Sequence, residues 1–184
     1  MFYKLEEETI RLGAFCAKVI PVSDIVFEPQ FRKMCEQNSC GMYNKCYMCP
    51  PEVGEVEALI SLAKTYPYAL IYQTVTPLED SFDIEGMEEG KRRHNRLTLS
   101  LRPLFDHTGI RECLHLGAGA CGVCERCAKS IGEPCRFPER ATPSLEAFCV
   151  NVYETSKVAG MKYINGQDTV TYFGAVFFHP SETL

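Results

Sequence analysis

Leu5, Thr9 and Leu12 share helical spacing and predict a short N-terminal helix that Gly13 stops. From residue 14 to residue 20 the period shortens to two. Phe15, Ala17 and Val19 fall on one face with Cys16 and Lys18 on the other, which predicts a strand. Ile25-Val26-Phe27 reads as a second extended piece. Pro50 and Pro51 favour a helix start, and Val53, Val56, Leu59, Ile60 and Ala63 follow at helical spacing. The run from Ala69 to Val75 reads as a buried strand. Leu97, Leu101, Leu104 and Phe105 predict a helix that Pro103 kinks or shortens. Glu112 to Leu116 predicts a strand. Thr142 suits a helix N-cap, with Pro143 at the first helical position, Glu146 near the positive end, and an apolar stripe of Leu145, Phe148, Cys149 and Val152. Thr169 to Phe178 is dense in aromatic and β-branched residues and predicts the last strand.

This alternation predicts an α/β or α+β fold: a single domain over residues 1–184, with a mixed sheet flanked by helices and two cysteine-rich metal-binding loops. No low-complexity stretch or linker divides the chain. Cys35 and Cys121 stand 86 residues apart, as do Cys49 and Cys135, which suggests a degenerate internal duplication.

Charge and cysteine content narrow the function. The 184 residues carry a net charge of −5. That argues against nucleic acid as a partner, since neutralising a phosphate backbone needs a surplus of Lys and Arg. Partners with basic docking surfaces fit better. No apolar run is long enough to span a bilayer, and residues 1–8 lack the basic and apolar regions of a signal peptide, so a cytoplasmic protein with no membrane partner is expected. In that reducing compartment the 11 cysteines, an odd number, do not suit a disulfide framework. Eight of them fall into two tight groups, which points to metal.

The second group reads Cys121-Gly-Val-Cys124-Glu-Arg-Cys127, then seven residues, then Cys135. Three cysteines at this spacing wrap a loop around one cubane and give three thiolates to three irons, with the fourth ligand coming from further along the chain. Zinc sites use paired knuckles instead, so a [4Fe-4S] cluster suits this spacing better than a tetrahedral ion. The first group is Cys35, Cys40, Cys46 and Cys49, followed by Pro50 and Pro51. Its ending is compatible with a second [4Fe-4S] cluster, while the Cys35–Cys40 spacing also fits a Zn knuckle.

These residues carry a family resemblance. The chain resembles the prokaryotic cysteine-rich family known only as predicted metal-binding proteins, a domain of unknown function. The match includes the run from Ala17 to Val26, then Cys35, Cys40, Tyr43 and Cys49-Pro50-Pro51. It continues through Gly119, Cys121, Cys124, Cys127, Gly132, Pro134-Cys135-Arg136, Pro138-Glu139, Pro143-Ser144 and Glu146-Ala147. The resemblance implies metal binding and no established activity. The chain departs from the family at Asn44 and at Cys149, where glycine is usual, and Cys46 is the one cysteine of the two groups outside the residues that carry the resemblance. Without Cys46 the first cluster has three thiolates and one open iron, with Cys16 and Cys113 as reserve ligands.

Other candidates have a plainer reading beside the functional one. Cys149 and Cys16 suit packed thiols, and Cys113 allows either reading. The basic run Lys91-Arg92-Arg93-His94-Asn95-Arg96 suits an anionic ligand or a solvated helix face. Arg136 and Arg140, beside Cys135, would raise a cluster's potential. His115 is the one histidine close to a cysteine in a strand, and Gly117-Ala-Gly-Ala gives the backbone room to turn into the cysteine loop. The leading expectation is a two-cluster protein that transfers electrons to or from a redox partner protein. The alternatives are a redox enzyme whose open iron or pocket takes a small-molecule or corrinoid-type ligand, and a zinc-binding scaffold or adaptor.

Overall fold

The computed structural model describes residues 2–107, 110 and 112–180. Four strands, β1 (Cys16–Pro21), β2 (Tyr68–Pro77), β3 (Cys113–Leu116) and β4 (Thr169–Phe178), form one sheet in the order β1-β2-β4-β3. Every pair is antiparallel, so the sheet is not mixed and the class is α+β. β2 and β4 pair along their whole length, from Tyr68 opposite Phe178 to Pro77 opposite Thr169.

These two strands read as nearly continuous apolar runs because the sheet is covered on both faces. Ala69, Ile71, Phe173, Ala175 and Phe177 point to one core, against α3 (Val56–Lys64) and the segment 145–161. Leu70, Tyr72, Val176 and Phe178 point to the other, against α1 (Tyr3–Arg11) and α4 (Ile84–His107). The period-two alternation of strand side chains makes this division. Gly174 leaves the space that the Tyr72 ring occupies, since a Cβ there would collide with the ring.

The duplication suggested by cysteine spacing has a counterpart in the topology. β1, the first cysteine loop, α3 and β2 make one half. β3, the second cysteine loop, α5 (Val152–Val158) and β4 make the other, and the halves join through β2 and β4. Among the described residues no helix is long and apolar enough to cross a membrane.

Several local expectations are corrected. Phe15 precedes β1 and is largely exposed, while Ala17 and Cys16 pack into opposite cores. Ile25–Phe27 forms a single bridge, Phe27 to Val150, and no strand. Pro50 and Pro51 sit in a turn, and α3 starts only at Val56. Pro103 does not end α4, which continues to His107 because Leu101 and Phe105 on its buried stripe anchor both sides of the proline. Residues 145–149 form a turn between bridges at Ser144 and Val150 and no helix, although Leu145, Phe148 and Val150 are buried there as an apolar stripe would be. The helix comes later, as α5, capped by the Asn151 side chain accepting from the Glu154 N–H at 3.0 Å.

His94 of α4 lies inside the second core, its ring 5.3 Å from that of Tyr72 and its Nδ1 3.0 Å from Thr74 Oγ1. Burial pulls its pKa down to about 4. The unfolded chain therefore binds the extra proton first as pH falls, and stability drops between the unfolded value near 6.5 and the folded value. The His94→Gln variant is expected to lose about 2 kcal/mol less stability than the parent between pH 7 and pH 5 in urea unfolding. Equal losses in both proteins would contradict a buried neutral imidazole.

Candidate metal centre

The first cysteine loop enters through a 3-10 turn (Pro29–Phe31) that continues into α2 (Arg32–Glu36), where Cys35 lies. Cys40 follows the helix. Cys46 and Cys49 close a tight turn in which the Cys49 N–H donates to the Cys46 carbonyl at 3.1 Å. The second loop leaves β3 through Gly117–Ala120, passes Cys121 and Cys124, and enters a 3-10 turn (Ala128–Ile131) immediately after Cys127. Gly119 adopts φ 63°, so the glycines do turn the chain into this loop. The loops pack against each other. The Tyr47 hydroxyl donates to the Glu133 carbonyl at 2.8 Å, and Lys129 pairs with Glu52 at 2.6 Å beneath the Tyr47 ring.

Two adjacent hollows gather the eight thiols. Cys121, Cys124, Cys127 and Cys135 line a small open cleft of about 20 Å³ with Arg136, and Cys46 lines it too. Cys35, Cys40 and Cys49 line a second cavity of about 290 Å³ with Phe31, Met34 and Tyr43. The first quartet is thus split, and Cys46 faces the other loop. Its Sγ accepts from the Cys49 thiol and from the Met48 and Cys121 amides, and it also contacts the Cys127 thiol, which holds Cys46 well below the usual thiol range. Cys49, the donor in this pair and itself buried, is pushed up. Burial raises Cys35 against the opposing pull of Arg32, and burial raises Cys121 against the amides of Thr142 and Val123.

Helical periodicity sorts the basic run of α4. Arg92 and Arg96 pair with Glu89 on the exposed face at 2.8 Å each, as a solvated face does. His94 turns into the core, while Lys91 and Asn95 turn to the cysteine loop. A Cβ at Gly122 would collide with the Asn95 side chain, and one at Gly119 would lie 3.3 Å from Lys91 Nζ. Two turns further on, Arg102 reaches the carbonyls of Arg140 and Ala141 and the Thr142 hydroxyl, at 3.3, 3.5 and 3.1 Å. Burial lowers its pKa, and the Cys121 sulfur opposes that shift. Arg136 lines the thiol cavity as sequence proximity suggested, whereas Arg140 stacks on the Phe137 ring. Arg32 and Arg102 were not legible as site residues, because their positions depend on contacts with segments 115 and about 40 residues away.

Cys16 and Cys113 pack into the cores on opposite faces of the sheet and line neither hollow, so neither acts as a reserve ligand. Burial pushes the Cys113 thiol up to about 12. His115 meets the Phe105 ring edge-on at 5.8 Å, and burial pulls it down to about 3. Cys149 is buried as expected, but in a turn, with its thiol 3.8 Å from the Pro29 carbonyl.

The donor set of the smaller cavity is all sulfur, with no histidine or carboxylate among its lining residues. Soft thiolates suit Fe–S clusters and Zn²⁺. Among the described residues no three His, Cys, Asp or Glu side chains converge as a single bound ion requires.

Asn44 and Cys149, the two departures from glycine, both have φ 56°. Each occupies the left-handed region that glycine enters without penalty and asparagine tolerates. Asn44 is exposed, and its N–H donates to the Pro50 carbonyl at 2.8 Å. Asn44→Ala is expected to destabilise the protein by about 1 kcal/mol and Asn44→Gly to be neutral or slightly stabilising, as measured by thermal unfolding. A neutral alanine variant would contradict the left-handed assignment.

No curated protein and no solved structure matches the chain. A family model described as predicted metal-binding protein (DUF2284) matches residues 18–178, a span that contains both cysteine loops and all four strands except the first residues of β1. The chain belongs to the DUF2284 family of predicted metal-binding proteins.

Proposed function

We propose that this metal-binding protein carries electrons on two [4Fe-4S]-type clusters held side by side. Cys121, Cys124, Cys127 and Cys135 bind one, and Cys35, Cys40 and Cys49 bind the other. The observation that carries the reading is the partition of thiols between two neighbouring hollows, with Cys46 between them in contact with both Cys49 and Cys127. The compact spacing of Cys121, Cys124 and Cys127 and the sulfur-only lining support a cluster over a lone ion.

One-electron storage is the chemistry such clusters supply when bound. The chain's own residues set how readily the charge is accepted. Arg102 and Arg136 beside the four-thiol cavity, and Arg32 beside Cys35, stabilise the more negative reduced state. Asn95 and Lys91 of α4 lie close against the second loop at Gly122 and Gly119, which leaves no room for larger residues there. The net charge of −5 favours a redox partner with a basic docking surface, in a cytoplasm that keeps thiols reduced.

Anaerobic purification is expected to give a brown protein with about eight iron and eight sulfide per chain that bleaches with dithionite. A colourless protein with zinc and no sulfide would sink the reading. Cys124→Ala is expected to remove about half of the iron, and Cys46→Ser to leave both clusters in place. Loss of iron in Cys46→Ser would make Cys46 a required ligand. Arg102→Gln is expected to lower the potential of one cluster by on the order of 50 mV, and Arg102→Lys to restore most of that shift.

A further inference from the structure

The hollow beside Cys35, Cys40 and Cys49 is the roomier of the two. It offers about 290 Å³, at the lower end of the range of small-molecule sites, and its wall is mostly apolar, from Phe31, Met34, Pro50 and Ala147. Cys46, the residue that would complete the quartet, lines the neighbouring cavity instead. No histidine, lysine or further cysteine lines the larger hollow. Glu146 does line it, but one of its carboxylate oxygens accepts the Gly119 N–H at 3.2 Å, which ties it to the far wall.

We infer that this hollow binds a small, uncharged, largely apolar molecule that brings one soft donor atom to the metal position left open by Cys35, Cys40 and Cys49. The inference rests on the two-cluster reading above. Charge selects the class of ligand. The Glu146 carboxylate faces the hollow and no cationic side chain lines it, so an anion meets a like charge and finds no counter-charge. The nearest guanidinium, that of Arg32, is held by the Gly54 and Ala147 carbonyls at 3.1 and 3.3 Å and does not line the hollow. Hydrocarbon walls favour an apolar body, and a neutral carbon, sulfur or phosphorus donor reaches the metal without adding charge to a hollow that has no cation on its wall, as a carboxylate would.

The test uses the full chain, purified anaerobically and reduced, with tert-butyl isocyanide as the uncharged probe and thiocyanate as an anion of comparable size. Iron and sulfide analysis comes first. Two clusters per chain is the condition the inference needs, and one cluster per chain overturns the underlying reading and the inference with it, before any probe is added. With two clusters present, isocyanide is expected to shift the electron paramagnetic resonance signal of one cluster, saturate at one molecule per chain and leave the other signal unchanged. Thiocyanate is expected to shift neither. Ala120→Leu, which narrows the hollow, is expected to weaken isocyanide binding by about tenfold or more at unchanged iron content. Met34→Trp, at a largely exposed position on the rim, provides a second narrowing variant should Ala120→Leu alter the iron content. Two intact clusters with no isocyanide shift would overturn the inference. So would a shift that both narrowing variants leave unweakened, or thiocyanate binding as tightly as isocyanide.

Discussion

β2 and β4 pair residue for residue over ten positions each, and that ladder places every other element. β1 adds to the outer edge of β2 and β3 to that of β4. α1 and α4 cover one face, and α3 with the 145–161 segment covers the other. Each half of the chain carries its cysteine loop between its two strands, so joining the halves through β2 and β4 fixes the loops relative to each other. The contacts between Tyr47 and Glu133 and between Glu52 and Lys129 then hold them together. Since the ladder is buried on both faces, a small shift in one half carries through close packing to the other.

The elements that could be read from the sequence are those whose burial leaves a local pattern. β4 falls on the span predicted for it, and β2 extends its predicted run by one residue before and two after. The N-terminal helix stops where Gly13, at φ 117°, ends it. The segment from Thr142 to Val152 misled because its apolar residues are buried at helical intervals while its backbone is committed elsewhere. Gly117 pairs with Ser144 and Phe27 with Val150, and Cys149 is left-handed, so no helix can run through it. Pro103 misled in the opposite sense, as tertiary packing of Leu101 and Phe105 outweighs the cost of a proline in α4.

At the metal centre the residue types were legible and their partition was not. Density and spacing mark all eight cysteines. Which hollow each one faces depends on the docking of one loop against the other, a contact across 86 residues that leaves no trace in spacing. Cys46 shows this most clearly: by sequence it belongs with Cys49, three residues away, and in space it meets the Cys121 amide and the Cys127 thiol as well as Cys49. Family glycines at positions 44 and 149 would have marked the two left-handed turns, but here Asn44 and Cys149 hide them. The result is an unequal pair of sites, one with four thiols of its own and one with three beside an open apolar hollow.

That inequality is the central claim, and anomalous scattering at the iron edge from anaerobically grown crystals tests it most directly. The account requires two iron clusters in each chain. One should be bonded to Cys121, Cys124, Cys127 and Cys135, and the other to Cys35, Cys40 and Cys49, with the Cys46 sulfur bonded to no iron of the second. A Cys46–iron bond completing the first-loop cluster would contradict the account, as would a zinc edge in place of iron.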